Sequence, residues 1–285
     1  MQCPTPISIK DKSENNPLGL DSIRIDVPCG RCGICKKNRR AQWSFRLREQ
    51  LKDSYNAKFL TLTYSDENLP YNLHTGEITL VKKHLQDFIK RLRESSYRRT
   101  GARNLRYYSV GEYGSETDRP HYHALIYNID KYNLSRLNTI WGYGFTGIGT
   151  VSPASIHYVT KYHVNRNTYA DEEDGRLPEF AIMSQGLGKG YIDRNKQYHL
   201  DTGNTFVYMD GFKVNMPRYY KQKIFSENQI KLYSERNLQS SREAEKEEAE
   251  RLLKLGYDDP YHEMWRRSIQ KAKKIKSKSQ EKDKL

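Results

Sequence analysis

The sequence predicts an α+β domain in which helices cover one face of an antiparallel sheet. The main observation is the order of the elements, because strand-like and helix-like segments follow one another as β, α, β, β, α, β, α between residues 59 and 166. A second observation is that one short polar segment separates two adjacent strand-like runs, which indicates a β-hairpin. A chain of 285 residues is long enough to bury the core that such a sheet needs.

The first predicted elements are a helix and a strand. Residues 36–54 have helical periodicity, because Trp43, Leu47 and Leu51 recur every four residues while basic residues occupy the other faces. The polar segment SYNAK ends this helix. The run FLTLTY, residues 59–64, is β-branched and aromatic and has the length of a strand.

The next elements are a second helix and the hairpin. In residues 81–95 the apolar side chains from Leu85 to Leu92 form one helical stripe, and lysines and arginines lie off it. Residues 105–114 and 121–127 are both strand-like, and the polar segment SETDRP lies between them. The simplest interpretation is an antiparallel hairpin.

The last predicted elements of the domain are a short helix, a strand and a longer helix. Residues 133–142 favour the short helix and residues 144–151 the strand. Ser152 followed by Pro153 is typical of an N-cap and first helical position, and it predicts a helix through residues 154–166.

We expect three regions along the chain. Residues 1–28 are polar and rich in proline, which indicates an extended lead-in. Residues 29–225 contain every predicted element and form the expected functional domain. Residues 226–285 are dominated by charged side chains and are expected to be a partly helical or disordered tail.

The charge balance indicates a polyanionic partner. The chain carries 49 Lys and Arg against 35 Asp and Glu, a formal net charge of +14. Its 22 tyrosines, interleaved with basic residues, suit a surface that stacks single-stranded bases. No run of about 18 apolar residues and no signal peptide is found, so we expect a cytosolic protein without a membrane partner.

Two histidines indicate a metal site. His121 and His123 are two apart on a predicted strand and therefore point to the same face of the sheet. Glu112, on the partner strand of the hairpin, adds a carboxylate, which shifts the expected metal from zinc towards Mg²⁺ or Mn²⁺. The alternative is a strand that carries two ordinary histidines.

The last predicted helix carries two candidate nucleophiles. Tyr158 and Tyr162 are four apart and share a helical face, and Lys161 is one turn from Tyr158. A nearby metal and a nearby cation both favour the phenolate form that attacks a phosphodiester. The alternative is a pair of packing tyrosines.

Other candidate sites are less specific. Cys29, Cys32 and Cys35 have C-x-x-C-x-x-C spacing, which indicates either a zinc site, with Cys3 as a fourth ligand, or buried free thiols. Arg119 before Pro120 and Lys189 among three glycines are candidate DNA contacts, and a solvated turn is the alternative for each. No Walker motif is present around Lys189, so nucleotide binding is not predicted.

Seven segments between residues 27 and 225 match one known family in order. They are VPCGRCGICKKNRRAQWSFRL, FLTLTY, HLQDFIKRLR, RYYSVGEYG with RPHYHALIY, IHYVTKYHVNR, EFAIMSQGLGKGYI and MPRYYKQKIF. On these segments the chain resembles the replication initiation proteins of the microviruses, the small icosahedral phages with single-stranded DNA. It looks most similar to their gokushovirus branch.

The resemblance implies the HUH endonuclease fold, a five-stranded antiparallel sheet flanked by helices. It also implies a rolling-circle initiator that nicks origin DNA: a tyrosine attacks the phosphodiester, remains linked to the 5′ phosphate, and the strand is later rejoined. Carried over to this chain, the two histidines and Glu112 hold the metal, both tyrosines act as nucleophiles, and Lys161 supports charge at the phosphate. Two-tyrosine members use the second tyrosine to cut the regenerated origin.

The implied partners are single-stranded and supercoiled viral DNA at the origin, with a helicase and a polymerase of the host, in the cytoplasm of the infected bacterium. Two other functions fit part of the pattern. A non-catalytic single-stranded nucleic-acid binding protein would explain the charge and the tyrosines. A metal-dependent nuclease that activates water would need the histidines and not the tyrosines.

Overall fold

A computed structural model of the protein describes residues 3–11, 20–162 and 175–281. Its strands in these ranges are β1 (Ile7–Lys10), β2 (Arg24–Val27), β3 (Ala57–Tyr64), β4 (Arg106–Tyr113), β5 (Pro120–Tyr127), β6 (Gly144–Thr150), β7 (Phe180–Met183), β8 (Phe206–Met209) and β9 (Phe212–Asn215). Its helices there are α1 (Gly33–Lys52), α2 (Lys82–Thr100), α3 (Lys131–Ser135), α4 (Leu137–Trp141), α5 (Pro153–Tyr162), α6 (Gly190–Thr202), α7 (Arg218–Ile224), α8 (Glu227–Lys254) and α9 (Pro260–Glu281).

Contacts within the chain divide it into two compact units. One unit comprises Met1–Arg39, Thr202–Tyr208 and Phe212–Leu285, and the other comprises Arg40–Asp201 and Met209–Gly211. The second unit holds the strands β3 to β7. The functional domain expected over residues 29–225 stays a prediction.

The centre of the second unit is a five-stranded antiparallel sheet with the order β6, β3, β5, β4, β7. This confirms the predicted α+β class and the sheet of about five strands flanked by helices. The predicted hairpin is β4 and β5, paired so that Glu112 lies opposite His121 and Val110 opposite His123. The strand that carries both histidines is therefore the central one of the sheet.

Helices pack on both faces of this sheet. One face buries side chains of β3 and β5 against α2 and α4, including Leu60, Tyr122, Ile126, Phe88 and Trp141. The other face buries side chains of β4 and β5 against α5 and the later part of α1, including Val110, Leu125, Ile156, Val159 and Leu47.

The prediction that helices cover only one face is therefore wrong. Its physical reason is visible in β4 and β5, because most residues of both strands are buried and their apolar side chains alternate between two cores. Strands buried on both faces have continuous apolar runs and not a polar and apolar alternation. The segments RYYSV and ALIY are such runs.

The predicted helices and strands between residues 36 and 162 are all present. The short helix predicted over residues 133–142 is split into α3 and α4. At the start of α5 the Ser152 hydroxyl accepts a hydrogen bond from the backbone N–H of Ser155 at 3.2 Å, as an N-cap does. Residues 163–166 of the predicted helix lie outside the described residues.

The regions without detailed predictions also contain regular structure. The lead-in forms an antiparallel pair, β1 and β2, and is thus more ordered than a simple extended segment in its described part. The tail is helical through α8 and α9 as far as residue 281, and a capping box between Ser226 and Gln229 begins α8. None of the helices described is long and apolar enough to span a membrane.

Replacing Phe88 with alanine is expected to lower the free energy of unfolding by about 3–5 kcal/mol, because the change leaves a cavity in the core between α2 and the sheet. Thermal or urea denaturation measures this loss. Gln86→Ala on the exposed side of the same helix is the control and should change the free energy by less than about 0.5 kcal/mol. Equal effects of the two substitutions would contradict the assigned core.

Candidate active site

Glu112, His121 and His123 meet on the face of the sheet that packs against α5. The strand register of the hairpin places their side chains on this one face. The Nε2 atoms of His121 and His123 each lie 2.8 Å from Glu112 Oε1. The structure thus brings together the three residues that the sequence predicts as metal ligands.

The other ring nitrogen of each histidine has its own partner. His121 Nδ1 donates to the backbone carbonyl oxygen of Arg119 at 3.1 Å, and His123 Nδ1 lies 3.1 Å from the hydroxyl of Thr61. Such partners orient the rings of metal-binding histidines and leave Nε2 as the ligand atom. Phe59 stacks on the His123 ring at 5.1 Å between centroids and further fixes it.

The donor set fits a divalent metal ion. The three ligand atoms lie within 4.8 Å of one another, and the Glu112 side chain is almost fully buried. Its second carboxylate oxygen, Oε2, is buried and has no hydrogen-bond partner among the described residues. A buried oxygen of this kind is costly unless a cation or water satisfies it. Two imidazoles and a carboxylate leave open positions for phosphate oxygens.

The carboxylate of Glu112 is ionised. Burial alone would raise its pKa, but hydrogen bonds from His121 and His123, together with their charge, outweigh burial and lower the pKa to about 2. The same contact acts on His121 in the opposite sense. Burial lowers the pKa of His121, yet the hydrogen bond and charge of Glu112 raise it overall above its ordinary value of 6.5.

Metal affinity should therefore increase with pH. A proton on His121 Nε2 competes with the metal, and its raised pKa means that this proton persists above pH 6.5. We expect the apparent Mn²⁺ affinity, measured by isothermal titration calorimetry, to rise as the pH passes upward through that pKa and then to level off. Proton release on binding, measured in buffers of different ionisation enthalpy, is the internal control. A constant affinity on both sides of pH 6.5 would contradict this assignment.

Tyr158 lies against the same three residues. Its hydroxyl donates to Glu112 Oε1 at 2.6 Å and lies 3.5 Å from His123 Nε2. The Tyr158 and His123 rings pack edge to face, with centroids 5.0 Å apart. Since 36% of Tyr158 is exposed, a substrate can reach its hydroxyl from solvent.

The other predicted residues of α5 differ in what the structure describes. Lys161 is buried, and burial lowers the pKa of its ammonium group, while the charges of Glu112 and Glu179 oppose this and Arg40 adds to it. Lys161 is therefore within electrostatic reach of the predicted metal ligands. Tyr162 is the last residue of α5, and its side chain lies outside the described part of the chain. Its place in the site stays a prediction.

Comparison with known proteins identifies the family. A family model of replication-associated proteins, named for the ORF2 protein, matches residues 57–167, which contain β3 to β6 and α5. Replication-associated protein ORF2 of Spiroplasma virus 4 is 30% identical over 230 residues, which are 74% of this chain and 71% of that protein. The chain belongs to the microvirus family of replication-associated proteins.

Two further family members are more distant. Replication-associated protein VP4 of Bdellovibrio phage phiMH2K is 28% identical over 214 residues, 68% of this chain and 66% of that protein. Replication-associated protein ORF4 of Chlamydia phage 1 is 24% identical over 235 residues, 73% of this chain and 57% of that protein. No solved structure matches the chain.

Three residues of the site were missed by sequence reasoning. Thr61 is paired with His123 in the strand register, which only the observed neighbour relation of β3 and β5 reveals. Glu179 is buried next to His121 and Lys161 and directly precedes β7, a strand that was not predicted. Arg40 lies on α1 and acts on Lys161 through its charge. The only sequence signal was the single Glu before the apolar run FAIM.

The two predicted DNA contacts lie in turns. The Arg119 guanidinium donates to the backbone oxygen of Tyr64 at 2.7 Å and pairs with Asp66 at 2.7 Å, so it holds the turn before β5. Lys189 is exposed in the turn before α6. DNA contact by either residue stays a prediction.

The four cysteines lie in the first unit and form a separate cluster. The sulfur atoms of Cys3, Cys29, Cys32 and Cys35 lie within 4.8 Å of one another, and all four thiols are free. The structure therefore brings the predicted fourth ligand, Cys3, to the other three.

Proposed function

We propose that this replication-associated protein initiates rolling-circle replication by nicking single-stranded viral DNA at the origin with Tyr158 and later rejoining the strand. The observation that carries the proposal is the contact between the Tyr158 hydroxyl and the Glu112–histidine group. A nucleophile needs to lie beside the groups that polarise the phosphate, and this contact meets that requirement.

The proposed reaction is a transesterification. The phenolic oxygen of Tyr158 attacks the phosphorus atom, and the bond from phosphorus to the 3′ oxygen of the preceding nucleotide breaks. A tyrosyl 5′-phosphodiester forms, and in net balance the phenolic proton ends on the released 3′ hydroxyl. Because one phosphodiester replaces another, the reverse reaction rejoins the strand without ATP, and the free 3′ hydroxyl can prime synthesis.

The residues around Tyr158 have distinct proposed roles. Glu112, His121 and His123 would hold Mg²⁺ or Mn²⁺, which when bound polarises the scissile phosphate and favours the phenolate. Lys161, buried nearby, supports negative charge at the phosphate. Tyr162 is proposed as the second nucleophile, which cuts the regenerated origin while Tyr158 still carries DNA.

The proposed partners follow from the reaction. The substrate is the viral strand at its origin, in single-stranded or supercoiled DNA, and the net charge of +14 suits such a polyanion. The sequence has no Walker motif, so we propose that a helicase of the host unwinds the DNA and a host polymerase extends the 3′ end. These events take place in the cytoplasm of the infected bacterium.

The test is to incubate the protein with labelled single-stranded origin DNA and Mn²⁺ and to separate the products under denaturing conditions. We expect an adduct in which the label stays with the protein, and mass spectrometry of its tryptic digest should locate the nucleotide on Tyr158. Cleavage without an adduct would instead support a nuclease that activates water. Binding without cleavage would support a non-catalytic single-stranded DNA binding protein.

A further inference from the structure

The cysteine cluster combines parts of the chain that are distant in sequence. Cys3 precedes β1, and Cys29 follows β2, so the β1–β2 hairpin lies between these two residues. Cys32 directly precedes α1, and Cys35 lies in its first turn. Gly30 has a φ of 72°, a left-handed conformation that lets the chain turn tightly between Cys29 and Cys32.

The separations of the sulfur atoms match a single tetrahedral ion. A metal–sulfur bond of about 2.3 Å gives a sulfur–sulfur separation of about 3.8 Å in a tetrahedron. Cys3 Sγ and Cys32 Sγ are 3.8 Å apart, and all four sulfurs lie within 4.8 Å. Cysteines around a four-iron cluster are separated by about 6 Å, so this cluster is too tight for one despite its C-x-x-C-x-x-C spacing.

Backbone N–H groups point at three of the sulfurs. Hydrogen bonds of this kind stabilise thiolates, because the N–H dipole meets a negative charge, and they orient the ligands of a metal. The bonds run from the N–H groups of Arg31 and Cys32 to Cys29 Sγ at 3.4 and 3.3 Å, from Cys35 to Cys32 Sγ at 3.4 Å, and from Cys29 to Cys3 Sγ at 3.4 Å.

The hairpin between Cys3 and Cys29 needs a crosslink. β1 and β2 have four residues each, and most of their side chains are exposed, including Ile7, Ile9 and Ile25. A two-stranded hairpin without a buried face is at best marginally stable in water. A metal bound across its base would constrain both of its ends.

We propose that Cys3, Cys29, Cys32 and Cys35 bind one structural zinc ion, which fastens the β1–β2 hairpin to the start of α1. Four thiolates in tetrahedral arrangement are the usual structural zinc site. This site differs in chemistry from the Glu112–histidine group, whose nitrogen and oxygen donors keep open positions. It has four protein ligands and leaves none for substrate.

Cobalt substitution of the full chain is the direct test. Co²⁺ added to metal-free, reduced protein should give intense visible bands of a tetrahedral thiolate site, with a sulfur-to-metal charge-transfer band, and should saturate at one ion per chain. One equivalent of Zn²⁺ should abolish these bands. Elemental analysis of protein purified without chelators should show about one zinc per chain.

Variants assign the ligands and separate this proposal from the proposed function. Cys29→Ser should weaken Zn²⁺ binding by at least about tenfold. His121→Ala should leave the cobalt–thiolate bands unchanged, although it removes a residue of the other site. Failure to form a DNA adduct would not affect either result.

Hydrogen exchange tests the structural role without any substitution. Removal of zinc with a chelator should increase exchange in β1 and β2, and addition of zinc should restore protection. Three results would overturn the proposal: no thiolate bands with cobalt, iron in the place of zinc, or a disulfide between Cys3 and Cys32 in the purified protein. Unchanged exchange in β1 and β2 would also overturn it.

Discussion

Tyr158→Phe is expected to abolish the covalent protein–DNA adduct, with a loss of at least about 10⁴-fold in its rate of formation. The substitution removes only the hydroxyl that lies 2.6 Å from Glu112 and keeps the ring that packs against His123 and Phe59. The fold and DNA affinity should therefore be retained. The measurement is single-turnover adduct formation on labelled origin DNA, with circular dichroism and filter binding on the same preparation.

Tyr97→Phe is the matched control for this substitution. Tyr97 is a partly exposed tyrosine on α2, which packs on the opposite face of the sheet from α5. It should form the adduct at the rate of the unmodified protein. Tyr162→Phe should still form a first adduct and lose the cut of the regenerated origin. If Tyr158→Phe cleaves DNA at a normal rate, the nucleophile has been assigned wrongly.

Glu112→Gln is expected to weaken Mn²⁺ binding by more than about 100-fold and adduct formation by about 10³-fold. The amide has nearly the shape of the carboxylate but lacks its negative charge, which the buried site concentrates because the pKa of Glu112 is about 2. Calorimetry measures the binding of the metal, and the adduct assay measures the reaction.

Glu116→Gln controls for the loss of one negative charge. Glu116 is exposed in the turn of the same hairpin and should have no effect on either measurement. Raised Mn²⁺ concentration should partly restore adduct formation to Glu112→Gln and should not restore it to Tyr158→Phe. Equal behaviour of the two variants under excess metal would contradict the separate roles of ligand and nucleophile.

Sequence periodicity predicted the elements of the sheet well because each has a strong local signal. The alternation of His121 and His123, the hairpin and the capped start of α5 are all short-range features. What failed were non-local relations. The neighbour relation of β3 and β5, which brings Thr61 to His123, is set by packing on two faces, and the one-face prediction did not anticipate it.

The candidate sites show the same limit. The metal ligands could be predicted because the hairpin register alone brings Glu112 to His121. Glu179 could not, since its strand, β7, is short and pairs with β4 over only four residues. The cysteine cluster lies between these cases, because local spacing predicts three of its members and only the folded chain brings Cys3 to them.

The alternation along β5 has a consequence for how such a protein can vary. His121 and His123 face α5, whereas Tyr122, between them, is buried in the core against α2. Insertion or deletion of one residue before His121 would turn the two imidazoles into the apolar layer and the tyrosine towards the DNA. Substitutions can accumulate on the outer helix surfaces, but the length of this strand tolerates no change. Any functional redesign of the nuclease must preserve the residue count of the hairpin before its side chains.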